Sequence, residues 1–349
     1  MFDVMRFWFN HGVDGLRIDV LWHLFKAADF PNNPRNPLYR SSMGEMHSVL
    51  QTHSTDQPEV HALAAEMRAV ADSYGADTHV LIGEIYLPVE QLMRYYGSTR
   101  AGVHLPFNFQ LVDASWEAHS LGVLIATYEA ALPLGAWPNW VLGNHDRPRV
   151  ATRRGPAQAR VAAMLLLTLR GTPTLYYGDE LGLSDVFVPN GQIRDPRELR
   201  EPGLGLGRDP VRSPMPWDES HNGGFTTGQP WLPLNKDWST RNVKQMSNDC
   251  HSILALYRRL LALRREYLAL AIGGFALLYA ADDLLAFERR HGAQRLIVAL
   301  NLGGRARQFK LPDWAKDCRA LLSTAGDALL TEEHHMSLRS NEGVILSTA

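Results

Sequence analysis

The sequence contains little cysteine, and neither its basic nor its apolar residues form long runs. Only Cys250 and Cys318 occur among 349 residues, and neither lies in the Cys or Cys/His spacing of a zinc site. This usage argues against a disulfide scaffold and fits a protein of the reducing cytoplasm. Basic residues run no longer than pairs and the formal net charge is −2, which argues against binding to nucleic acid or to a membrane surface.

The N-terminal residues do not have the pattern of a targeting segment. Asp3 and Arg6 interrupt the first apolar stretch, which lacks the basic start and the small-residue cleavage site of a secretory signal. No stretch of the sequence reaches the roughly 18 uncharged apolar residues that span a bilayer. Phe2, Met5 and Phe9 recur at helical spacing, which predicts that the chain begins within a core-facing helix. We therefore expect a cytoplasmic protein without a membrane span.

The order of apolar segments indicates an α/β fold. With 45% hydrophobic and 21% charged residues, the composition is that of a globular protein with a large core. Short apolar runs that end in polar residues alternate with segments of helical periodicity, which predicts βαβ units and a parallel sheet. The predicted strands lie within 13–19, 79–84, 102–112, 140–146 and 172–180. The predicted helices lie within 57–75, 122–132, 156–171 and 247–270.

Two later regions depart from this alternation. Residues 183–246 are rich in glycine and proline and follow neither periodicity, so we expect a long loop region with a functional role. From about residue 274, short alternating runs separated by turn residues predict a small antiparallel, sandwich-like β domain. These patterns predict one domain at residues 1–273 and a second at 274–349.

Three acidic residues directly follow predicted strands. Asp19, Glu84 and Asp146 each stand at the carboxyl end of an apolar run. In a parallel α/β barrel these ends lie on one face, which is where such barrels carry their chemistry. Taken one at a time, Asp19 equally fits a helix N-cap, Glu84 a loop acid after a strand, and Asp146 a turn residue beside His145. Arg17, on the same strand face as Asp19, favours the catalytic interpretation.

Five motifs resemble those of the α-amylase superfamily of glycoside hydrolases and occur in the order in which that family has them. Within the superfamily, they are most similar to the α-glucosidase and oligo-1,6-glucosidase branch. The motifs are DGLRIDV (14–20), GEIYLP (83–88), LGNHDRPR (142–149), GTPTLYYGDELG (171–182) and GRDPVRSPMPWD (207–218). The resemblance extends over essentially the whole chain. It implies that the catalytic domain has the fold of a TIM (β/α)8 barrel.

The resemblance implies a role for each acid. Asp19 is expected to be the nucleophile, Glu84 the general acid/base, and Asp146 a third carboxylate that holds sugar hydroxyls in the transition state. Retaining hydrolysis needs the first two carboxyl groups about 5 to 5.5 Å apart, one ionised and one protonated. Arg17 is expected to favour the ionised form of Asp19, and the two neighbouring anions are expected to raise the pKa of Glu84.

Substrate-binding residues follow from the same resemblance. His145 and Arg212 match sugar-binding residues of the family, and Arg17 completes the set; a core or surface role is the alternative for Arg212, which lies in the long loop. Val20, after the nucleophile, is similar to the valine of relatives that cleave α-1,6 bonds, which is a weak indicator. Three aromatic residues stay open between sugar stacking and core packing: Tyr86, Phe187 and Trp217.

The family's barrel has eight strands, and its first motif precedes DGLRID by about a domain's length, whereas eleven residues precede Gly12 here. We therefore expect a partial barrel of about strands 4 to 8 with their helices, followed by the antiparallel β domain. Unpaired edges at GLRID and TLYYG predict self-association and a hydrolytic rate far below that of a complete relative. We expect the inserted domain that often holds calcium in the family to be missing as well, so we predict neither a metal site nor a cofactor.

The leading hypothesis is a retaining α-glucosidase that releases terminal α-glucose from short oligosaccharides of the maltose or isomaltose type, by α-1,4 or α-1,6 cleavage. One alternative is a sucrose- or trehalose-converting relative, since GRDPVRSPMPWD is shared with those branches. Another is an inactive fragment of a longer protein. A third is a non-catalytic scaffold like the amylase-like heavy chains of amino-acid transporters, which carry a membrane span and need not keep the acids.

Overall fold

The computed structural model describes residues 1–75, 78–315, 317–326, 329–330 and 335–348 of the chain. The chain divides into two compact units. The first unit is Met1–Gln110 with Tyr128–Trp140, and the second is Leu111–Thr127 with Val141–Ala349. The domain boundary expected between residues 273 and 274 is inferred from a change in the pattern of apolar residues, and it stays a prediction.

Helices and strands alternate through the first half of the chain, as expected from the apolar runs. The α-helices are α1 (Phe2–Asn10), α2 (Glu59–Asp72), α3 (Val89–Met93), α4 (Gln110–Asp113), α5 (Ala118–Ala131), α6 (Val150–Thr168), α7 (Pro196–Arg200), α8 (Val243–Ser247), α9 (Ile253–Glu266) and α10 (Leu268–Ala271). The strands are β1 (Gly15–Ile18), β2 (Val80–Gly83), β3 (Leu105–Pro106), β4 (Asn139–Val141), β5 (Thr172–Thr174), β6 (Gly274–Ala281), β7 (Leu284–His291), β8 (Gln294–Asn301), β9 (Arg307–Lys310), β10 (Arg319–Ser323), β11 (Leu329–Leu330), β12 (His335–Leu338) and β13 (Gly343–Ser347). Every region predicted as strand or helix contains an element of the predicted type.

The first unit contains a parallel sheet in the order β1-β2-β3. Ile18 pairs with Gly83, and Gly83 pairs with Pro106, so the three strands end at one edge of the sheet. Asn108 then forms a parallel bridge with Trp140 of β4. The strands of this unit therefore follow one another in chain order, which confirms the prediction of a parallel α/β arrangement.

Two helices pack their apolar faces into the core of the first unit. Helix α1 buries Met5 and Phe9, and the Phe9 ring lies 5.4 Å from that of Tyr74 and 4.2 Å from that of His79. The prediction of a core-facing helix at the start of the chain is therefore confirmed. Helix α2 buries one stripe of small and medium apolar residues: Val60, Ala64, Met67, Val70 and Ala71.

Helix α6 is the most deeply buried helix of the second unit, and it begins earlier than expected. The sequence predicts its start at Pro156, where proline favours the first turn of a helix. The structure adds a preceding turn from Val150, and the two segments meet at Gly155, whose φ of 81° glycine adopts without strain. The kink therefore falls where the sequence places its glycine and proline.

The second unit also contains the antiparallel sheet expected near the C-terminus. Its strand order is β10-β13-β8-β7-β6, and β9, β11 and β12 form a second antiparallel sheet. Apolar residues from β7, β8, β9, β12 and β13 form a buried cluster that includes Ile297, Ala299 and Val344. The buried Arg289 of β7 donates to the carbonyl oxygens of Gly273 (2.9 Å) and Thr168, so it ties this sheet to the end of α6.

The glycine- and proline-rich region 183–246 has the character expected of it. Helices α7 and α8 span five residues each, and the other ordered segments of this fully described region are single 3₁₀ turns. In the described parts of the chain, no helix combines the length and the apolar character that a membrane crossing requires.

Candidate active site

One guanidinium group joins the two acids that follow β1 and β2. Nη1 of Arg17 donates to Oδ1 of Asp19 at 2.8 Å, and Nη2 donates to Oε2 of Glu84 at 2.7 Å. The pairing of Ile18 with Gly83 explains this geometry, because the residues after them leave the sheet side by side. The structure thus brings Arg17, Asp19 and Glu84 together in the first unit, and it adds the contact with Glu84 to the contact expected with Asp19.

The two carboxyl groups differ strongly in their exposure to solvent. The side chain of Asp19 is 70% exposed, whereas that of Glu84 is 5% exposed. Backbone hydrogen bonds hold Glu84 in place, since its N–H donates to Ile18 (3.0 Å) and its carbonyl oxygen accepts from Leu21 (3.2 Å). One acid is therefore open to a ligand while the other is enclosed and fixed.

This environment raises the pKa of Glu84. Burial of the carboxyl group is the largest cause, and a hydrogen bond with Asp19 and the charge of Asp19 raise the pKa further. The backbone N–H of Val20 and the charge of Arg17 act in the opposite direction. The expected direction is confirmed, but its cause differs from the expectation, because desolvation rather than two neighbouring anions contributes most.

The backbone is strained next to Asp19. Val20 has φ 39° and ψ 44°, the left-handed region that β-branched residues rarely occupy. In this conformation its N–H donates to Oε2 of Glu84 at 3.1 Å. The same carboxylate oxygen therefore accepts from Arg17 and from this backbone N–H.

A second cluster of charged groups lies in the second unit, around Asp146. Oδ1 of Asp146 accepts from Nη2 of Arg212 at 3.0 Å and from Nη1 of Arg208 at 3.2 Å. Nε2 of His145 lies 3.4 Å from the same oxygen, and Nε of Arg212 donates to the His145 carbonyl at 3.0 Å. The structure thus brings His145, Asp146 and Arg212 together, and Arg212 is paired rather than free on the surface.

Arg208 is held from its other side by a buried acid. Oδ2 of Asp195 accepts from the backbone N–H and from Nε of Arg208, at 2.7 and 2.8 Å, and Oδ1 accepts from Nη2 at 2.8 Å. The side chain of Asp195 is completely buried. The hydrogen bonds from Arg208 hold the pKa of Asp195 well below its usual range, although burial opposes them.

The sequence interpretation missed Asp195 and Arg208. Arg208 lies inside the quoted motif GRDPVRSPMPWD, four residues before Arg212, and this spacing was the one available signal. Asp195 lies 13 residues earlier in a region without periodicity, so nothing in the sequence points to its contact with Arg208.

The three aromatic candidates differ in their surroundings. The ring of Tyr86 stacks on that of Phe109 with centroids 3.9 Å apart and planes 1° apart, which favours the packing interpretation. Phe187 and Trp217 are exposed in the loop region of the second unit, which leaves sugar stacking open for both.

No metal site is evident in the residues that the structure describes. Within these ranges, no group of three or more His, Cys, Asp or Glu side chains is placed to hold an ion. Independence from metals and cofactors stays a prediction, and so do the catalytic and substrate-binding roles of the residues above.

Comparison with known proteins gives consistent matches. The profile of the alpha-amylase catalytic domain matches residues 1–273. Maltase A1 of Drosophila melanogaster is 33% identical over 335 residues, which cover 89% of this chain and 57% of that protein. An oligo-1,6-glucosidase of Parageobacillus thermoglucosidasius is 28% identical over 352 residues, which cover 90% of this chain and 61% of that protein.

One solved structure matches along the entire chain. It is that of an α-glucosyl transfer enzyme, XgtA, with a TM-score of 0.90 and 31% identity, and the match covers 100% of this chain and 66% of the other. This chain therefore spans somewhat more than half the length of the curated relatives described above. The match of the catalytic-domain profile over 273 residues, together with these relatives, shows that the chain belongs to the alpha-amylase family.

Proposed function

We propose that this chain carries the reacting residues of a retaining α-glucosidase that acts on the terminal α-glucosyl unit of short oligosaccharides. The observation that carries the proposal is the single guanidinium of Arg17, which binds both Asp19 and Glu84. A retaining glycosidase needs two carboxyl groups of opposite protonation state near one glycosidic bond. The exposed Asp19 and the buried Glu84, whose pKa is raised, meet that need.

In the first step, Glu84 donates its proton to the glycosidic oxygen while a carboxylate oxygen of Asp19 forms a bond to the anomeric carbon. The bond between that carbon and the glycosidic oxygen breaks, and a glucosyl ester of Asp19 remains. In the second step, the Glu84 carboxylate removes a proton from water, and the resulting hydroxyl displaces Asp19. α-Glucose leaves, and Glu84 holds its proton again.

Asp146 is proposed as the third carboxylate, with His145 and Arg212 beside it as sugar-binding residues. Hydrogen bonds to sugar hydroxyls that strengthen in the transition state are a recurring contribution to glycoside hydrolysis. The donors that converge on Oδ1 of Asp146 support this role, since they fix the carboxylate before a ligand arrives.

The substrate class belongs to the same proposal. The maltase and the oligo-1,6-glucosidase among the relatives support α-1,4 and α-1,6 glucosides of the maltose and isomaltose type. The similarity to XgtA, an α-glucosyl transfer enzyme, supports transfer to sugar hydroxyls beside transfer to water. A cytoplasmic location is proposed from the two cysteines, neither of which forms a disulfide.

We also propose that the parallel strands are those of a (β/α)8 barrel, of which this chain carries about strands 4 to 8. The chain-order succession of β1, β2 and β3 supports this assignment. Among the described strands, β1 pairs with β2 alone, so its other edge offers unsatisfied N–H and C=O groups. Self-association through this edge is expected, and sedimentation over a range of concentrations measures it.

The proposed function is tested by hydrolysis of an aryl α-glucoside and of α-glucosyl fluoride. Fluoride leaves without needing a proton, so Glu84→Gln should lose the aryl glucoside activity yet still release fluoride in its first turnover. Asp19→Asn should lose both activities, because the nucleophile is absent. A covalent glucosyl adduct on Asp19, trapped with a fluorinated glucosyl fluoride and located by mass spectrometry, completes the test.

Asp14→Asn is the matched control, since Asp14 is exposed at the other end of β1 from Asp19 and its side chain has no place in the mechanism. It should leave both activities unchanged. Aryl glucoside hydrolysis that survives both Asp19→Asn and Glu84→Gln would refute the assignment. NMR of the first sugar released distinguishes retention, which gives α-glucose, from inversion, which gives the β anomer.

A further inference from the structure

We propose that Arg208 is a positioning residue for Asp146, and that the buried Asp195 holds Arg208 in place for this task. The inference rests on the proposed role of Asp146 in binding the reacting sugar. It concerns the second unit alone, and it adds two residues to those expected from the family motifs.

The guanidinium of Arg208 links the two acids. Its Nη1 donates to Oδ1 of Asp146 at 3.2 Å, while its Nε and Nη2 donate to the two oxygens of Asp195, both at 2.8 Å. The pair with Asp195 is bidentate, a geometry that fixes the plane of the guanidinium as well as its position. The third donor therefore points at Asp146 from a fixed direction.

The burial of Asp195 makes this arrangement hard to rearrange. Its side chain is completely buried, and a buried carboxylate without its partner is strongly unfavourable. The backbone N–H groups of Arg197 and Arg208 also donate to it, at 3.2 and 2.7 Å. Arg208 thus cannot turn away from Asp195 without leaving a charge buried and unpaired.

Hydrogen bonds join the two ends of the loop 194–209, which carries both residues. Oδ2 of Asp209 accepts from the backbone N–H groups of Arg194 and Asp195, at 2.6 and 2.8 Å. Inside the loop, Glu198 accepts from the N–H groups of Gly203 and Gly207, both at 2.9 Å. These bonds join the start of the loop to its end, so Arg208 is anchored by the loop and not by its own side chain alone.

The two arginines that contact Asp146 differ in their other hydrogen-bond partners. Arg212 also donates to the carbonyl oxygen of His145, so it fixes the segment that carries the acid. Within this segment, the described contact of Arg208 is with the carboxylate oxygen of Asp146 alone, and its other side-chain donors go to Asp195. Among the described residues, every side-chain donor to Asp146 goes to Oδ1, which leaves Oδ2 to accept from a ligand hydroxyl. Arg208 therefore fixes the rotation of the carboxylate group.

The test is a double-mutant cycle on kcat and KM for an aryl α-glucoside. Arg208→Ala should lower kcat about 100-fold with little change in KM, because a misplaced contact is felt mainly in the transition state. Arg208→Lys, which keeps the charge but not the bidentate geometry, should lie between the wild type and Arg208→Ala. Asp195→Asn should resemble Arg208→Lys, because it loosens the anchor without removing the guanidinium.

The decisive comparison is made in an Asp146→Asn background. If Arg208 acts through Asp146, Arg208→Ala should lower kcat there by less than about twofold, because the residue it positions is already impaired. An equal loss in both backgrounds would overturn the inference and assign Arg208 a structural role in the loop. Arg200→Ala, exposed on the same loop, is the matched control and should leave kcat unchanged.

A second measurement separates failure of this inference from failure of the proposed function. If the wild-type chain does not hydrolyse the aryl glucoside, the proposed function fails, and urea unfolding of the same four chains still tests the contact. The midpoint shift of the double variant should then be smaller than the sum of the two single shifts. Additive shifts would show that Arg208 and Asp146 are not coupled, and the inference would be withdrawn.

Discussion

The acids proposed to react with or bind the sugar meet different numbers of guanidinium groups in the two charged clusters of this protein. In the first unit, one guanidinium, that of Arg17, serves the two carboxyl groups of Asp19 and Glu84. In the second unit, two guanidinium groups, those of Arg208 and Arg212, serve one oxygen of Asp146. A shared cation leaves room for one of two acids to hold a proton, whereas paired cations fix a single carboxylate in place.

The clusters also differ in how the chain builds them. The first follows two paired strands, so the register of a parallel sheet sets its geometry. The second depends on a loop that has no periodic structure and is held by its own buried aspartates, Asp195 and Asp209. In the proposed mechanism, the residues that react thus follow the ends of paired strands, whereas the loop supplies the arginines that hold the sugar-binding acid.

Among the variants that test this comparison, the largest effect is expected from Arg17→Ala, which removes the shared cation of the first cluster. We expect kcat/KM for an aryl α-glucoside to fall about 1000-fold, within the range that acid and base catalysis contributes. Arg17 lowers the pKa of Glu84, so its removal should raise that pKa and move the alkaline limb of the pH–rate profile to higher pH. The measurement is kcat/KM as a function of pH.

Arg17→Lys is the matched variant for this prediction. It keeps one positive charge but cannot bind two carboxyl groups with a planar fork, so its rate should fall between those of the wild type and Arg17→Ala. An alkaline limb that stays in place or moves to lower pH in Arg17→Ala would contradict the electrostatic account.

A third acid, Asp179, differs from the acids of both clusters, because the cation beside it donates its hydrogen bonds elsewhere. Asp179 is almost completely buried, and burial raises its pKa to about 7 although the charge of Arg149 opposes the shift. The Arg149 guanidinium donates to the carbonyl oxygens of Tyr177 and Val211, at 2.6 and 2.7 Å. With its donors bound to carbonyl groups, Arg149 does not offset the effect of burial on the pKa of Asp179.

Asp179→Asn is expected to stabilise the protein more at pH 8 than at pH 5. Between the ordinary pKa of aspartate and about 7, the folded chain holds a proton that the unfolded chain releases, so the free energy of unfolding falls as pH rises. The variant lacks this loss, and its advantage should grow by about 2 to 3 kcal/mol from pH 5 to pH 8. Urea unfolding at the two pH values measures it.

Asp113→Asn, on the exposed surface of the same unit, is the control for this measurement. Its stability relative to the wild type should change far less between the two pH values. A constant advantage of Asp179→Asn across the range would mean that the wild-type carboxyl keeps its charge when buried, contrary to the effect of desolvation.

The sequence was sufficient to predict the elements that form the first cluster. Apolar runs that end in Asp19 and Glu84 predicted two strand ends, and the parallel sheet confirms both. The contact between Arg17 and Glu84 could not be predicted in the same way. It depends on the register of strands whose residues lie 67 positions apart, and a slip of one residue would turn these side chains to opposite faces.

Fewer residues of the second cluster could be predicted from the sequence, and the reason is different. His145 and Arg212 were predicted from motifs, but Asp195 and Arg208 meet only because hydrogen bonds close an irregular loop. Such a loop has no period that reports burial, so an aspartate in it reads as a surface residue. Its complete burial is set by tertiary contacts, which local patterns do not contain.

The smallest expected effect concerns the backbone that completes the first cluster. Val20 holds a left-handed conformation, with φ 39°, that costs a β-branched residue about 1 kcal/mol relative to one that tolerates it. Asparagine adopts this conformation more readily, so Val20→Asn should raise the free energy of unfolding by about 1 kcal/mol. Val4→Asn, at an exposed helical position where valine and asparagine have similar helix propensities, is the control and should leave the free energy of unfolding nearly unchanged.

The same variant distinguishes a backbone contact from a side-chain contact. The N–H of residue 20 donates to Glu84 whichever side chain the residue carries, so Val20→Asn should keep the wild-type alkaline limb of the pH–rate profile. Arg17→Ala moves that limb because it removes a charge, whereas Val20→Asn removes strain alone. A more stable variant with a displaced limb would show that the valine side chain, and not only its N–H, sets the pKa of Glu84.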